Sequence, residues 1–385
     1  MTHPPRAGAS WRSLLVQAVV LGLLAGLALW LGANTLHNLQ QRHVSTGLGF
    51  LFQPSSLPIA DSVVAYDPQR STFAAALWVG VLNTLVLSLC VILTATVLGT
   101  VIGLSRLSPN WLARTLAATW VGVIRNVPAL LVVLFVMSQM RRIGGPRQAI
   151  ALPGGAFLSN RGLIVPSLTE GEGLGWIALA FFIGMALGMF LAHRFAAEPH
   201  AGRAAPAPWL AGLTAGTVLA LIAFAAVPLR WQVVAPALRG FNFVGGTVIS
   251  LEFCAMLCAL TAYFSAYIAE TVRSGVLAVP TGQWDAAMAL GLSRKQTLRL
   301  IVTPLAMRVI VPPITNSYLG IVKASSLGVA IGYQELVSVT NTALSMTGQS
   351  IELVFILMST YLVISLAIGW VAHRYNERVL AQGLR

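Results

Sequence analysis

The chain has 385 residues, of which 57% are hydrophobic and only 9% charged, and its mean hydropathy is +0.79. That balance excludes a soluble globular domain of this length and reads as an integral membrane protein. The formal charge of +13 does not mark a nucleic-acid partner, because the basic residues are scattered between apolar runs and form no patch with interleaved aromatics.

Met1–Arg12 is short, polar and basic, and Ser13–Ala33 is the first apolar run. A secretory signal is the competing reading. The run is too long for a signal core and no small-x-small cleavage site follows Trp30, so it reads as a retained transmembrane helix. Residues 37–72 are polar and turn-rich, with Pro54, Pro58 and Pro68, and form an extra-cytoplasmic loop. The span at roughly 79–104 contains Gly99-Thr-Val-Ile-Gly103, a small-xxx-small face that lets a second helix approach closely. Pro109 breaks the next connection. Residues 111–125 begin as an interfacial helix with Trp111 and Arg114 at headgroup level, and Pro128 restarts an apolar run ending near Met140.

Residues 141–175 read as a long loop rich in Gly and Pro, and apolar runs at about 176–192 and 209–228 as a helical pair. A short connection, Leu229–Gly246, leads to a span at 247–269, a polar segment at 281–304, spans at about 313–333 and 351–372, and a basic tail. The expected fold is therefore an all-α polytopic membrane protein with about eight transmembrane helices, each close to the ~20 residues that cross a hydrocarbon core. It divides into an amino-terminal span and outer loop (1–78), a first core part (79–140), a loop with an inserted helical pair (141–246) and a second core part (247–385). If the amino terminus is cytoplasmic, that side holds 14 Lys and Arg against 8 outside. The bias supports both termini inside and the 281–304 segment cytoplasmic, although four arginines in 141–175 run against it.

The segment TGQWDAAMALGLSRKQTLRLIVTP at 281–304 is the most structured polar stretch. Thr281 is placed to N-cap a short helix whose apolar and small face is Trp284, Ala287, Met288 and Leu290. Gly291 fits the left-handed residue that ends it, and Ser293 with Gln296 forms a capping box that starts a second helix. An ordinary amphipathic loop between two spans is the alternative.

Nothing in the chain reads as an enzyme. It lacks a G-x-x-x-x-G-K-[ST] phosphate loop, a G-x-S-x-G elbow and an H-E-x-x-H site. The six histidines are dispersed, and Cys90, Cys254 and Cys258 all lie in apolar runs, so neither a metal, a cofactor nor a disulfide framework is implied. Lys323 is the informative charge. It lies ten residues after Pro313, which sets it near mid-membrane, where a lysine costs about 2.5–3.5 kcal/mol unless it faces protein or water. Asn316 and Gly320 share its face, and Ser325 and Ser326 follow within a turn. Asn316, Lys323, Ser325 and Ser326 thus form a candidate translocation pathway, with Lys323 contacting an anionic group such as a substrate carboxylate; a structural ion pair or carbonyl contact is the alternative. The spans show no chain of acids of the kind a proton carrier uses.

Asp285-Ala286-Ala287, then Gly291, Ile301 and Pro304, resembles the EAA loop of the membrane subunits of binding-protein-dependent ABC importers. Asp285 stands where Glu is usual and Thr303 where Leu is usual. Asn83-Thr84-Leu85, Arg106-Leu-Ser108, Arg125-Asn126-Val-Pro128, Gly240-Phe-Asn-Phe243, Pro312-Pro313 and Ser325-Ser326-Leu327 resemble the polar-amino-acid branch, in particular the longer subunits of general L-amino-acid importers. The resemblance implies a type I importer permease core of five helices, with the first span and the 176–228 pair as additions. It also implies that Trp284, Asp285, Ala286, Ala287, Leu290 and Gly291 dock a cytoplasmic ATPase subunit. The implied partners are two such ATPases, a second permease subunit and a periplasmic amino-acid-binding protein, with membrane lipid around them and an L-amino acid as cargo. The implied location is a bacterial inner membrane. An ion-gradient-driven secondary amino-acid transporter is the alternative, distinguished by uptake that needs no ATPase.

Overall fold

The computed structural model describes residues 11–41, 47–168 and 233–381, with short helical pieces between 180 and 222. The helices are α1 (Trp11–Gln41), α2 (Phe73–Ser105), α3 (Trp111–Arg125), α4 (Ala129–Arg141), α5 (Leu251–Leu277), α6 (Thr281–Ala289), α7 (Arg294–Thr297), α8 (Thr303–Ala324), α9 (Leu336–Thr347) and α10 (Ser350–Ala381). Five helical runs are long and apolar enough to cross a membrane: Leu15–Asn34, Phe73–Ser105, Leu251–Leu277, Arg294–Ile331 and Ser350–Arg374. The pair α3 and α4, expected as one restarted run, is bent by 107° at Asn126–Pro128. The expected helices at 176–192 and 209–228 lie mostly outside the described residues, so the structure supports a polytopic helical protein and leaves the count of eight without a full description.

The chain forms two compact units, Met1–Val136 with Ala255–Arg385, and Met137–Cys254. In the first, α2 is the central helix. Its Gly99 and Gly103 press against the Ser265, Ile268, Ala269 and Val272 face of α5, so closely that a Cβ at Gly99 would lie 2.8 Å from the Ser265 carbonyl and one at Gly103 2.7 Å from that of Ala269. This is the close backbone approach that the small-xxx-small spacing predicts, and lipid-embedded helices depend on such packing because burial from lipid gives no hydrophobic gain.

One end of the unit is closed by the 47–72 segment. Phe50 and Leu57 pack into a cluster with Phe73, Leu77, Leu336, Val339 and Leu353. The segment is pinned by Gln334, whose Nε2 donates to the Pro58 carbonyl at 2.6 Å and whose Oε1 accepts from Ala60 N at 2.6 Å. What reads in sequence as a turn-rich loop is therefore an ordered cap.

The second unit contains β-structure where sequence suggests only a Gly- and Pro-rich loop. Strands β1 (Ile150–Leu152), β2 (Ala156–Ser159), β3 (Gly162–Val165) and β8 (Thr247–Ile249) form one antiparallel sheet in the order β1-β2-β3-β8. Strands β4 (Ser167–Leu168) and β5 (Val233–Val234) pair separately, as do β6 (Ala237–Arg239) and β7 (Asn242–Val244). Phe157 and Phe243 stack at 4.8 Å between ring centres.

Candidate functional site

The 281–304 segment folds as two short helices around a tight turn. Pro280, in extended conformation (φ −58°, ψ 140°), occupies the N-cap position and gives no side-chain cap. Thr281 is therefore the first helical residue, not the cap the sequence suggested. At the other end Gly291 has φ +74°. Its N–H donates to Met288 O at 2.9 Å and Leu292 N to Ala287 O at 3.1 Å, the paired 5→2 and 6→1 bonds of a Schellman end. Ser293 then caps α7: its Oγ accepts from Gln296 N, and Gln296 Oε1 accepts from Ser293 N at 2.9 Å.

These two caps divide the expected docking residues into two faces. Ala287 is fully buried and Trp284 half-buried, whereas Asp285, Ala286, Leu290 and Gly291 are exposed, joined by Met288. Trp284 lines a cavity of about 1050 Å³ between α2, α5, α8 and α10. Trp284 and Ala287 thus hold α6 against its own chain, and Asp285, Ala286, Met288, Leu290 and Gly291 face away from it. The cavity is walled by groups such as Leu104, Val276, Met307, Ile310 and Val371, with Arg294 as its one charged wall residue. That lining does not suit a zwitterionic amino acid, whose two charges would each need a partner.

From Arg294 the chain stays helical to Ile331, passing through a π-turn at Leu298–Val302. The span expected at 313–333 therefore starts earlier. Pro312 and Pro313 lie inside α8, where they deprive the Arg308 and Val309 carbonyls of their usual donors without ending the helix. Two contacts tie this run to α2. Tyr318 Oη meets Thr96 Oγ1 at 3.0 Å, and Tyr333 Oη donates to Asn83 O at 3.2 Å. Between these contacts the chain runs along the middle of α2, from Thr96 to Asn83, and Lys323 lies between them in sequence.

Lys323 occupies the last turn of α8, and it and Asn316 are exposed on one face of this chain. A helix end leaves carbonyls without helical donors. Ser325 Oγ donates to Val322 O at 2.7 Å and Ser326 Oγ to Lys323 O at 2.7 Å, while the 3₁₀ turn Ser325–Ile331 takes up others. Ser325 is buried and turned toward Tyr361, with 3.4 Å between the hydroxyls. The structure thus groups Asn316 with Lys323, sets Ser326 beside them on the backbone, and turns Ser325 into the subunit. The negative end of the α8 dipole also favours a cation at Lys323.

Two polar clusters were not visible as clusters in the sequence. Glu270 of α5 accepts from Arg106 and from Arg273 Nη2 at 2.6 Å, with Arg125 Nη1 at 3.7 Å. Arg125 also lies over the Tyr267 ring at 5.4 Å. The Arg106 and Arg125 motifs, far apart along the chain, meet on one carboxylate. At the end closed by the 47–72 segment, fully buried Glu335 caps α9 by accepting from Val337 N and Ser338 N at 2.9 Å each, and Tyr361 Oη donates to it at 3.1 Å. Asn83 Nδ2 donates to Asp61 O and Gln334 O at 2.8 and 2.9 Å, and Thr84 Oγ1 accepts from Leu336 N at 3.2 Å. The polar Asn83-Thr84 pair within an apolar run was the one sequence signal for this joint.

The capped two-helix turn and the long, proline-containing helical run that follows it both lie within the part of the chain that matches a known family. Residues 95–380 match the family described as binding-protein-dependent transport system inner membrane component. The chain belongs to this family. YhdX of Escherichia coli (strain K12) is 41% identical over 372 residues, covering 96% of this chain and 94% of that one. The general L-amino acid transport system permease protein AapQ of Rhizobium johnstonii is 37% identical, covering 96% and 92%. The glutamate/glutamine/aspartate/asparagine transport system permease protein BztB of Rhodobacter capsulatus is 32% identical, covering 98% of both chains. A solved amino acid ABC transporter chain aligns at 18% identity with a TM-score of 0.47, covering 80% of this chain and 95% of that one.

Proposed function

We propose that this chain is the membrane-spanning permease subunit of an ATP-driven importer that moves L-amino acids from a binding protein into the cytoplasm. The observation that carries the reading is the Gly291 turn with its two caps. It holds Asp285, Ala286, Met288 and Leu290 outward as a preformed docking surface and joins them through Ser293 to one helical run ending at Lys323. ATP hydrolysis belongs to two partner ATPase subunits seated on that surface. A second permease subunit covers the exposed Asn316 and Lys323 face, so that the pathway lies between the two membrane subunits.

The mechanism follows from this connectivity. Movement of α6 on an ATPase is carried by Trp284 and Ala287 to the neighbouring helices, and by the Arg294–Ile331 run toward mid-depth. The π-turn and the Pro312-Pro313 pair are where that run can flex, because their carbonyls are already released from regular helical bonding. Lys323 supplies a cation to the amino acid's carboxylate, and Asn316 and Ser326 offer hydrogen bonds beside it. In this topology both termini and the Gly291 turn are cytoplasmic, and the membrane is a bacterial inner membrane. Purification from native membranes in mild detergent, followed by mass spectrometry, tests the assignment. Recovery of a P-loop ATPase and a second permease supports it, and a chain recovered alone under several detergents would overturn it.

A further inference from the structure

The Met137–Cys254 unit gathers arginines at one edge. Asn160 N donates to Gly144 O at 3.0 Å, which places the β2–β3 turn and its Arg161 beside the 141–148 segment. Arg147 Nε donates to Gly240 O at 3.3 Å, and its guanidinium lies over the Phe241 ring at 3.9 Å. Those contacts hold the β6–β7 turn, with Arg239, against the same segment. Arg141, Arg142, Arg147, Arg161 and Arg239 are all exposed, and among the described residues of the unit the one acid is Glu252, in the first turn of α5. Five like charges on so small a unit repel one another and gain nothing from each other.

The position makes this more informative. In the proposed topology residues 141–175 and 229–246 belong to the extracytoplasmic side, where basic residues are disfavoured. The negative surface potential that would reward them belongs to the cytoplasmic leaflet. Phe241, 73% exposed, stands at the hairpin tip beneath the Arg147 guanidinium. An aromatic group held by a stacked arginine and flanked by guanidinium groups that have no carboxylate partner among the described residues has the composition of a protein-binding hot spot.

We propose that this arginine edge, with Phe241 as its apolar anchor, is the docking surface for an acidic face of the extracytoplasmic amino-acid-binding protein. The inference rests on the importer reading and its topology. Guanidinium groups pair bidentately with carboxylates, so the matching face carries Asp and Glu around a shallow apolar recess. Because the charges lie at the rim, their main effect is on association and its salt dependence.

The test uses the assembled complex in nanodiscs of zwitterionic lipid, titrated with the labelled amino-acid-binding protein that co-purifies with it. Replacing Arg142, Arg161 and Arg239 together by Glu is expected to lower affinity about tenfold or more at low salt, with the difference shrinking as salt rises. Replacement of the same three by Gln should give an intermediate loss, and Phe241→Ala a loss that salt does not remove. ATP hydrolysis without binding protein should be unchanged in all three variants. Unchanged affinity in the Glu variant would overturn the proposal, as would a loss insensitive to salt or a change confined to binding of anionic lipid vesicles. If the wild-type complex bound and responded to no amino-acid-binding protein, the importer reading itself would fall and this surface with it. If it did respond and the variants behaved like wild type, only the surface would be wrong.

Discussion

Gly291→Val isolates the backbone requirement of the docking turn. Gly291 has φ +74°, and a Cβ built there meets nothing within 4 Å. The cost of a side chain is therefore conformational, not steric crowding in this subunit. An L-residue in the left-handed helical region costs roughly 1–2 kcal/mol, and more for a β-branched one. Relief requires breaking the bonds from Gly291 N to Met288 O and Leu292 N to Ala287 O, which would reorient Leu290 and α7. At about 1.4 kcal/mol per tenfold, a cost of ~2 kcal/mol favours the rearranged turn by some thirtyfold over its present balance.

The assay is ATP-driven amino-acid uptake by the reconstituted complex, alongside the amount of ATPase that co-purifies. Gly291→Val should lose most uptake and retain less ATPase while the permease still inserts. Gly291→Asn, which tolerates positive φ, should stay near wild type. If Asn were as damaging as Val, the position would exclude side chains at the docked surface, and the backbone argument would be refuted.

Lys323→Met should abolish uptake while leaving assembly intact, whereas Lys323→Arg should retain part of it; unchanged uptake by the Met variant would remove Lys323 from the pathway. Glu270→Ala leaves Arg106 and Arg273 without their shared carboxylate, and should cost about 1–3 kcal/mol of stability, between the values for exposed and fully buried ion pairs, read as a lower unfolding temperature in detergent. Gly99→Leu forces a side chain into a contact where even a Cβ would be 2.8 Å from Ser265 O. It should separate α2 from α5 and sharply reduce the yield of folded protein, and a normal yield would contradict the packing described.

The parts legible in sequence were those determined locally. Gly291 and the Ser293–Gln296 box depend on residues within a turn or two, and both take the geometry their spacing implies. The Thr281 cap did not, because Pro280 supplies an extended residue just before the helix. The count that set Lys323 near mid-membrane started from the wrong place: Pro312 and Pro313 lie within α8, and the helical run begins at Arg294. The sheet was hidden because its strands run only 2 to 4 residues, too short for alternation to register. Glu270 and Glu335 looked like isolated acids near span ends. Their roles depend on partners such as Arg106, 164 residues away, and Tyr361, 26 residues away, which no local pattern reports.

The most direct test of the central claim is uptake by the purified complex in proteoliposomes, with ATP supplied on the face of the Gly291 turn, binding protein on the other, and all ion gradients collapsed. The account predicts amino-acid accumulation that requires ATP and binding protein and is lost with Gly291→Val. Accumulation by this chain alone, driven by a proton or sodium gradient and indifferent to ATP, would contradict it.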